Sequence, residues 1–151
     1  QQFRARCRAP GSTREMTMSE TESTPKTRTI TLTDARPVTI HDDQWPQIAH
    51  GAYRWHDNQY RSQANRTRDL DIRVRQHADG RALAYGVYSY TTAYQGERGA
   101  SHRVGYLLEP GADLITAIKR CGADLIERGV DIVVVRDTAN ECIGELPAVE
   151  I

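Results

Sequence analysis

Alternation of apolar and polar positions predicts a pair of short strands near the start of the folded part of the chain. Residues 29–33 and residues 37–41 each place their apolar side chains on one face, and residues 34–36 separate the two stretches. A period of two is typical of a strand with one buried face. The short spacer leaves room only for a turn, so the two strands are expected to pair as a hairpin.

The most regular pattern predicts a β-hairpin in the middle of the chain. Residues 70–74 and 83–87 alternate strictly, and Asp79-Gly80 between them is typical of a tight turn. Residues 103–108 repeat the alternation. We therefore predict a third strand that follows the hairpin in sequence.

A helical period predicts a short helix over residues 43–55. Asp42 and Asp43 suit the N-cap and the first turn, and Pro46 is tolerated in a helix only within that turn. The apolar positions of this stretch recur at helical spacing and are Trp45, Ile48, Ala49 and Ala52.

The C-terminal part of the sequence predicts a long helix and then an ambiguous segment. Residues 112–128 carry an apolar stripe of helical period. The β-branched run at 132–135 favours a strand, although apolar residues from Ile132 to Ile143 also recur at helical spacing. Thr138 and Glu141 form a capping box, so we predict a strand followed by a helix over 139–145.

These elements predict an α+β fold, with a small, mostly antiparallel sheet around a central β-hairpin, packed against two or three helices. The predicted order of helix, three strands and helix over residues 43–128 is similar to double-stranded RNA-binding domains. The basic cluster that the last helix of such domains presents is missing at residues 111–114.

The first part of the chain differs in composition from the rest. Residues 1–28 are rich in Arg, Ser, Thr and Pro and poor in apolar residues, so we interpret them as a disordered tail. Met16 and Met18 lie inside it, which indicates an upstream extension before them. Residues 29–151 are then a single domain, long enough to bury a core.

The charges cancel only in sum. The chain has 20 basic and 20 acidic residues, but residues 54–81 hold seven Arg against four Asp, and residues 109–151 hold nine acids against four bases. No apolar run approaches the roughly 18 residues of a membrane helix. We expect a soluble, cytoplasmic protein without membrane association.

Motifs for catalysis and for cofactor or metal binding are missing from the sequence. No nucleophile has a recognisable base beside it, and no glycine-rich phosphate loop is present. The three cysteines are widely spaced, and none of the five histidines lies at ligand spacing from a Cys or another His. We predict no cofactor and no metal, and favour a non-enzymatic role.

One constellation of residues favours nucleic acid as a partner. Arginine forks and amide side chains suit contacts with phosphates and bases, and tyrosine rings suit stacking. The candidate nucleic-acid-binding residues are Arg61, Asn65, Arg66, Arg68, Arg73 and Arg75. The candidate stacking or docking residues are Tyr60, Tyr88 and Tyr90.

Several stretches of residues 29–151 carry a resemblance to a known family. They are ITLTDARPVTI, WPQIAHG, YRSQANRT, IRVRQHADGR and YGVYSY. The chain resembles small accessory proteins encoded on integrative elements and prophage-like islands of proteobacteria. The resemblance implies a bacterial, intracellular accessory role on a mobile genetic element, and it implies no activity for any residue.

We therefore expect an accessory or regulatory protein of a mobile element that acts by binding, with nucleic acid as the preferred target. The alternative is a protein-interaction module or homodimer that uses the acidic C-terminal helices. An enzyme of unrecognised type, with His56, Asp57 and Tyr60 in a pocket, ranks third.

Overall fold

The computed structural model describes residues 26–56, 66–92, 96 and 98–148. Within them the chain forms six strands and two helices. In chain order the elements are β1 (Thr27–Thr31), β2 (Pro37–His41), β3 (Gln47–His56), β4 (Arg66–Gln76), β5 (Ala82–Thr92), β6 (Ala100–Leu108), α1 (Leu114–Glu127) and α2 (Ile132–Gly144). Strand β1 starts two residues before the predicted domain start, and residues 1–25 of the predicted tail lie outside the described residues.

The strands form two antiparallel sheets, which confirms the predicted α+β class. Strands β3 to β6 pair in sequence order as a four-stranded sheet, and β1 pairs with β2 as a separate two-stranded ribbon. The predicted central hairpin is β4–β5, whose turn has Gly80 at φ +96°. A positive φ is the conformation that glycine adopts without steric cost.

The two helices cover one face of the four-stranded sheet, which we call the helix face. Their buried stripes pack against the inward side chains of the strands. The fully buried members of this core include Leu70, Ile72 and Val74 of β4 and Ile118, Cys121 and Leu125 of α1.

The β1–β2 ribbon covers part of the opposite face, which we call the ribbon face. Side chains alternate along β5, so Ala84 belongs to the helix-face core while Leu83 and Tyr85 point to the ribbon. The ribbon core consists of Ile30, Leu32, Ile40, Trp45, Leu83 and Tyr85. The molecule therefore has three layers, with the four-stranded sheet in the middle.

The predicted helix over residues 43–55 is wrong, because residues 47–56 form strand β3. A β-bulge between Gln47 and Ala49 breaks the alternation and gives the sequence its helical spacing. A Cβ at Gly51 would collide with the Thr138 carbonyl oxygen, so this strand needs a glycine where α2 crosses it. The predicted order of helix, three strands and helix over residues 43–128 is therefore also wrong, because its first element is a strand.

The predicted strand at 132–135 is also wrong, because these residues begin α2. The Asp131 carboxylate is the N-cap and accepts hydrogen bonds from the backbone N–H groups of Val133 and Val134 at 2.9 and 3.1 Å. Thr138 lies within the helix, where its hydroxyl donates to the Val134 carbonyl oxygen. The capping box therefore does not start a helix.

Side chains and loop backbone occupy part of each edge of the four-stranded sheet. On β3 the Ala52 N–H donates to the Glu141 carboxylate at 3.0 Å, and on β6 the Gly105 carbonyl accepts from the Thr33 N–H at 3.0 Å. Such contacts reduce the number of edge groups that another strand could pair with.

Candidate functional site

A group of aromatic rings lies on the helix face, where β3 ends, β4 begins and β5 ends. The strand register puts Trp55, Arg68 and Tyr90 in one row across β3, β4 and β5. The next row contains Tyr53, Leu70, Tyr88 and His102. We call the aromatic members and the arginine the ring cluster: Tyr53, Trp55, Arg68, Tyr88, Tyr90 and His102.

The rings of the cluster contact one another in a chain. The ring centroids of Tyr53 and Trp55 are 5.5 Å apart, and those of Trp55 and Tyr88 are 6.1 Å apart. The rings of Tyr88 and His102 are nearly parallel, at 13° and 5.8 Å. These separations are typical of aromatic pairs, which favour offset or tilted arrangements.

Exposure is graded across the ring cluster. Tyr88 is 6% exposed and belongs to the helix-face core, whereas Tyr53 at one end is 50% exposed. Trp55 and Tyr90 are half-buried. The cluster therefore extends from a ring buried in the core to a ring that is accessible to solvent.

Arg68 is held in place by two tyrosines of the neighbouring strand. Its guanidinium carbon lies 4.4 Å from the centroid of the Tyr90 ring, and Nη1 donates to the Tyr88 hydroxyl at 2.7 Å. A guanidinium stacked in this way keeps its charge and loses little further freedom when it binds a ligand.

The helix-face positions of the sheet carry no acidic residue among those that the structure describes. Arg66 and Arg68 point to this side of β4, while Asp69 and Asp71 point to the ribbon face. All formal charge on the strand positions beside the rings is therefore positive.

The sequence-predicted residues are divided between the two faces. Arg66, Arg68, Tyr88 and Tyr90 lie on the helix face, with the last three in contact. Arg73 and Arg75 lie on the ribbon face. The remaining candidates, Tyr60, Arg61 and Asn65, lie outside the described residues.

Arg75 requires a correction, because it is 6% exposed and lies under the ribbon. Its Nε donates to the Tyr85 hydroxyl at 2.9 Å and its Nη1 to the Trp45 carbonyl oxygen at 3.1 Å. The Asp42 carboxylate lies 3.7 Å away. Arg75 therefore joins the ribbon to the sheet and is not part of an exposed binding surface.

Sequence reasoning missed three members of the cluster, Tyr53, Trp55 and His102. Tyr53 and Trp55 are two positions apart, so they share a face in a strand but not in a helix. The predicted helix over residues 43–55 would place the two rings on different faces, so it hides this signal. Only the register of β6 brings His102 to Tyr88.

On the ribbon face, acids and bases of neighbouring strands form ion pairs. Arg54 Nε lies 2.6 Å from the Asp69 carboxylate, and His50 Nε2 lies 2.8 Å from that of Asp71. The Asp69 carboxylate holds the pKa of the Arg54 guanidinium above its ordinary value through a hydrogen bond. Paired charges of this kind are typical of a solvated sheet surface.

The described cysteines are core residues. Cys121 and Cys142 are both buried, and burial raises their thiol pKa values to about 12 and about 11. A thiol that stays protonated at neutral pH is a poor nucleophile. Within residues 26–56, 66–92 and 98–148, no three His, Cys, Asp or Glu side chains come together as a metal site.

Two of the three residues on which the enzyme hypothesis depends lie outside the described part of the chain. His56 is described, with Nδ1 3.2 Å from the Thr67 hydroxyl, but Asp57 and Tyr60 are not.

Four of the eight acids in residues 109–148 have internal partners. Asp113 and Asp131 cap the two helices, and Glu141 accepts from β3. Asp124 accepts hydrogen bonds from the hydroxyls of Tyr106 and Thr33. The acidic charge of this region is therefore in part a consequence of the fold.

Neither described helix has the length and apolar character needed to cross a membrane. Searches against family models, curated proteins and solved structures found no match to this chain.

Proposed function

We propose that this protein binds single-stranded nucleic acid through the ring cluster. The observation that supports this most directly is that rings from β3 and β5, the two neighbours of β4, meet beside Arg68 on a side of the sheet with no strand acid among the described residues. Unpaired bases stack on aromatic rings and on guanidinium planes, and each stacked base contributes about 1–3 kcal/mol.

The geometry favours a single strand over a duplex. Bases in a duplex stack on one another, so their flat faces are not accessible to Tyr53 and Trp55. Arg66 and Arg68 beside the rings supply positive charge for the backbone phosphates. Such binding fits the accessory or regulatory role on a mobile element that the resemblance implies, and that role stays a prediction.

The experiment is a fluorescence-anisotropy titration of labelled single-stranded DNA and RNA, with the full chain, at several salt concentrations. We expect affinity to fall with salt by about 0.7 logarithmic units per arginine–phosphate contact for each decade. A duplex of the same sequence should bind more weakly. Absence of binding at low salt would contradict the proposal.

A variant of Trp55 tests stacking directly. Trp55→Leu keeps an apolar side chain against the core but removes the large ring, so we expect affinity to fall roughly five- to 150-fold. Circular dichroism checks that the variant folds. An affinity equal to that of the natural sequence would remove the ring cluster as the site.

A second candidate function, self-association through α2, is supported by exposed apolar side chains at its start. Ile132 is 44% exposed and Val133 is 62% exposed. Adjacent exposed apolar side chains are typical of surfaces that bind other proteins. Light scattering over a range of concentrations tests this candidate, with Val133→Glu expected to abolish a dimer. A monomer at every concentration would contradict it.

A further inference from the structure

A polar pocket of about 200 Å³ lies on the ribbon face, between β1 and the four-stranded sheet. The sheet forms its floor with two rows of side chains. One row runs from Asp71 through Val87 to Arg103, and Arg73 stands beside Tyr85 in the next. We call this space the arginine pocket.

The pocket exists because the ribbon covers only part of this face. Leu32 packs over Gly105, where a Cβ would lie 3.4 Å from it, and Tyr85 is buried beneath the ribbon. Val87, one row further along, is only half-buried. From β1, Arg28 shares a side with the buried Ile30 and lines the opening.

Three arginines and one acid line the pocket, which gives it a net positive charge. Arg28 binds Asp42 through Nε at 3.1 Å and Nη2 at 3.3 Å. Arg73 donates to the Gln47 amide oxygen at 3.1 Å and to Asp71 at 3.4 Å. These contacts fix two guanidinium groups at the walls and pair each of them with a carboxylate, so the net positive charge of the pocket comes from the third arginine.

Arg103 is the third arginine, and its guanidinium has no hydrogen bond or ion pair with any residue that the structure describes. Its backbone carbonyl oxygen accepts from Arg128, but its side chain is unengaged on the exposed side of β6. A charged donor beside two fixed ones is suited to an anionic ligand.

We propose that the arginine pocket binds a phosphate group, as inorganic phosphate or as a small phosphate monoester. With Asp42 counted beside Asp71, three guanidinium groups and two carboxylates leave about one positive charge for an oxyanion, and guanidinium forks match its oxygens. A volume near 200 Å³ equals roughly seven water molecules at about 30 Å³ each, so a phosphate group with a short alcohol portion fits. The proposal is independent of the ring cluster, which lies on the helix face.

The experiment measures thermal stability and calorimetric binding of the full chain with inorganic phosphate and with glycerol phosphate. Sodium chloride at matched ionic strength controls for screening. We expect a saturable rise in Tm with phosphate and none with chloride. Stronger binding of glycerol phosphate would assign the site to a monoester, and stronger binding of inorganic phosphate to the free ion. An equal response to chloride and phosphate would overturn the proposal.

Two variants change the affinity in opposite directions. Arg103→Gln removes a donor that has no partner to lose, so the protein should keep its basal Tm and bind phosphate about tenfold or more weakly. Asp71→Asn removes one of the two negative charges at the pocket and should tighten binding about three- to tenfold. Unchanged or weaker binding in Asp71→Asn would place the ligand elsewhere.

Arg36→Gln is the matched control, because Arg36 is an exposed arginine on the ribbon turn that pairs with Asp34. It should bind phosphate like the natural sequence, and an equal loss in Arg36→Gln and Arg103→Gln would show a nonspecific charge effect that overturns the site. Arg103→Gln should also bind single-stranded oligonucleotides normally. If it did not, the pocket would belong to the nucleic-acid surface and would not be a separate ligand site.

Discussion

The two faces of the four-stranded sheet use arginines of the same strand in different ways. On the helix face, Arg68 is half-buried and lies 4.4 Å from the centroid of the half-buried Tyr90 ring. On the ribbon face, Arg75 is almost fully buried and binds Tyr85 and the backbone of Trp45. Each arginine contacts a tyrosine of β5. The difference comes from what covers the strand, because the ribbon seals Arg75 from solvent.

Local positive charge in a sequence therefore does not define a binding surface. Seven arginines between residues 54 and 81 suggest one basic region. Strand alternation sends the five of them that lie in β3 and β4 to opposite sides of the sheet. On the ribbon face, Arg54 pairs with Asp69 and Arg75 has a structural role. Within residues 54–81, only Trp55 and Arg68 belong to the ring cluster.

The largest expected effect concerns the helix-face core. Ile118 of α1 is fully buried among the strands, so Ile118→Ala should lower the free energy of unfolding by about 2–5 kcal/mol. Urea denaturation followed by circular dichroism measures it. A loss below about 1 kcal/mol would mean that α1 does not pack on the sheet as described.

The ribbon-face counterpart is Arg75→Met, which keeps the length of the side chain but removes its donors. Because the Tyr85 hydroxyl and the Trp45 carbonyl oxygen lose buried partners, we expect a loss of about 1–3 kcal/mol. Arg36→Met, at an exposed pair, should change stability by less than about 0.5 kcal/mol. Equal or greater stability in Arg75→Met would show that apolar contacts alone hold the ribbon.

A smaller loss of stability tests where α2 begins. Asp131→Ala removes the N-cap of α2 and should cost about 1 kcal/mol, within a range of about 0.5–2 kcal/mol. Asp137→Ala, an exposed acid inside the same helix, is the control. Equal effects of the two substitutions would argue against a helix that begins after Asp131.

The smallest effect is a pH dependence on the ribbon face. A hydrogen bond from Arg28 lowers the pKa of the Asp42 carboxyl below its ordinary value. A depressed folded-state pKa gives stability that is present above the unfolded value near 3.9 and is lost as pH falls through the folded value. Asp42→Asn should therefore flatten the loss of stability between about pH 5 and pH 3.

The control for this titration is Asp43→Asn, since Asp43 forms no ion pair with any residue in the described ranges. Unfolding free energies at a series of pH values provide the measurement. A slope in Asp42→Asn that matches the natural sequence would mean that the Arg28 pair does not form in solution.

The β4–β5 hairpin was predictable because its local signals agree. Alternation, β-branched residues and the Asp79-Gly80 turn all favour the same structure. Strand β3 was not predictable, because a bulge disturbs its alternation. In addition, its inward residues Ala49 and Gly51 are small, since α2 packs closely against them. A strand shaped by the close approach of a helix carries little apolar signal of its own.

The start of α2 was missed for the opposite reason. Residues 132–135 have strong β propensity, yet the Asp131 cap and packing of Val135 beside Gly122 favour a helix. For the candidate site, Tyr88, Tyr90 and Arg68 could be proposed from their residue types. Their meeting with Trp55 depends on strand register, which single-sequence patterns do not specify.

If the helix face binds single-stranded nucleic acid through the ring cluster, arginines on the two faces of the sheet should contribute unequally. We would measure the affinity of Arg68→Gln and Arg54→Gln for one labelled oligonucleotide at one salt concentration. These arginines lie on neighbouring strands but point to opposite faces. We expect Arg68→Gln to bind about tenfold more weakly and Arg54→Gln to bind within about twofold of the natural sequence. Equal affinities of the two variants would contradict the claim.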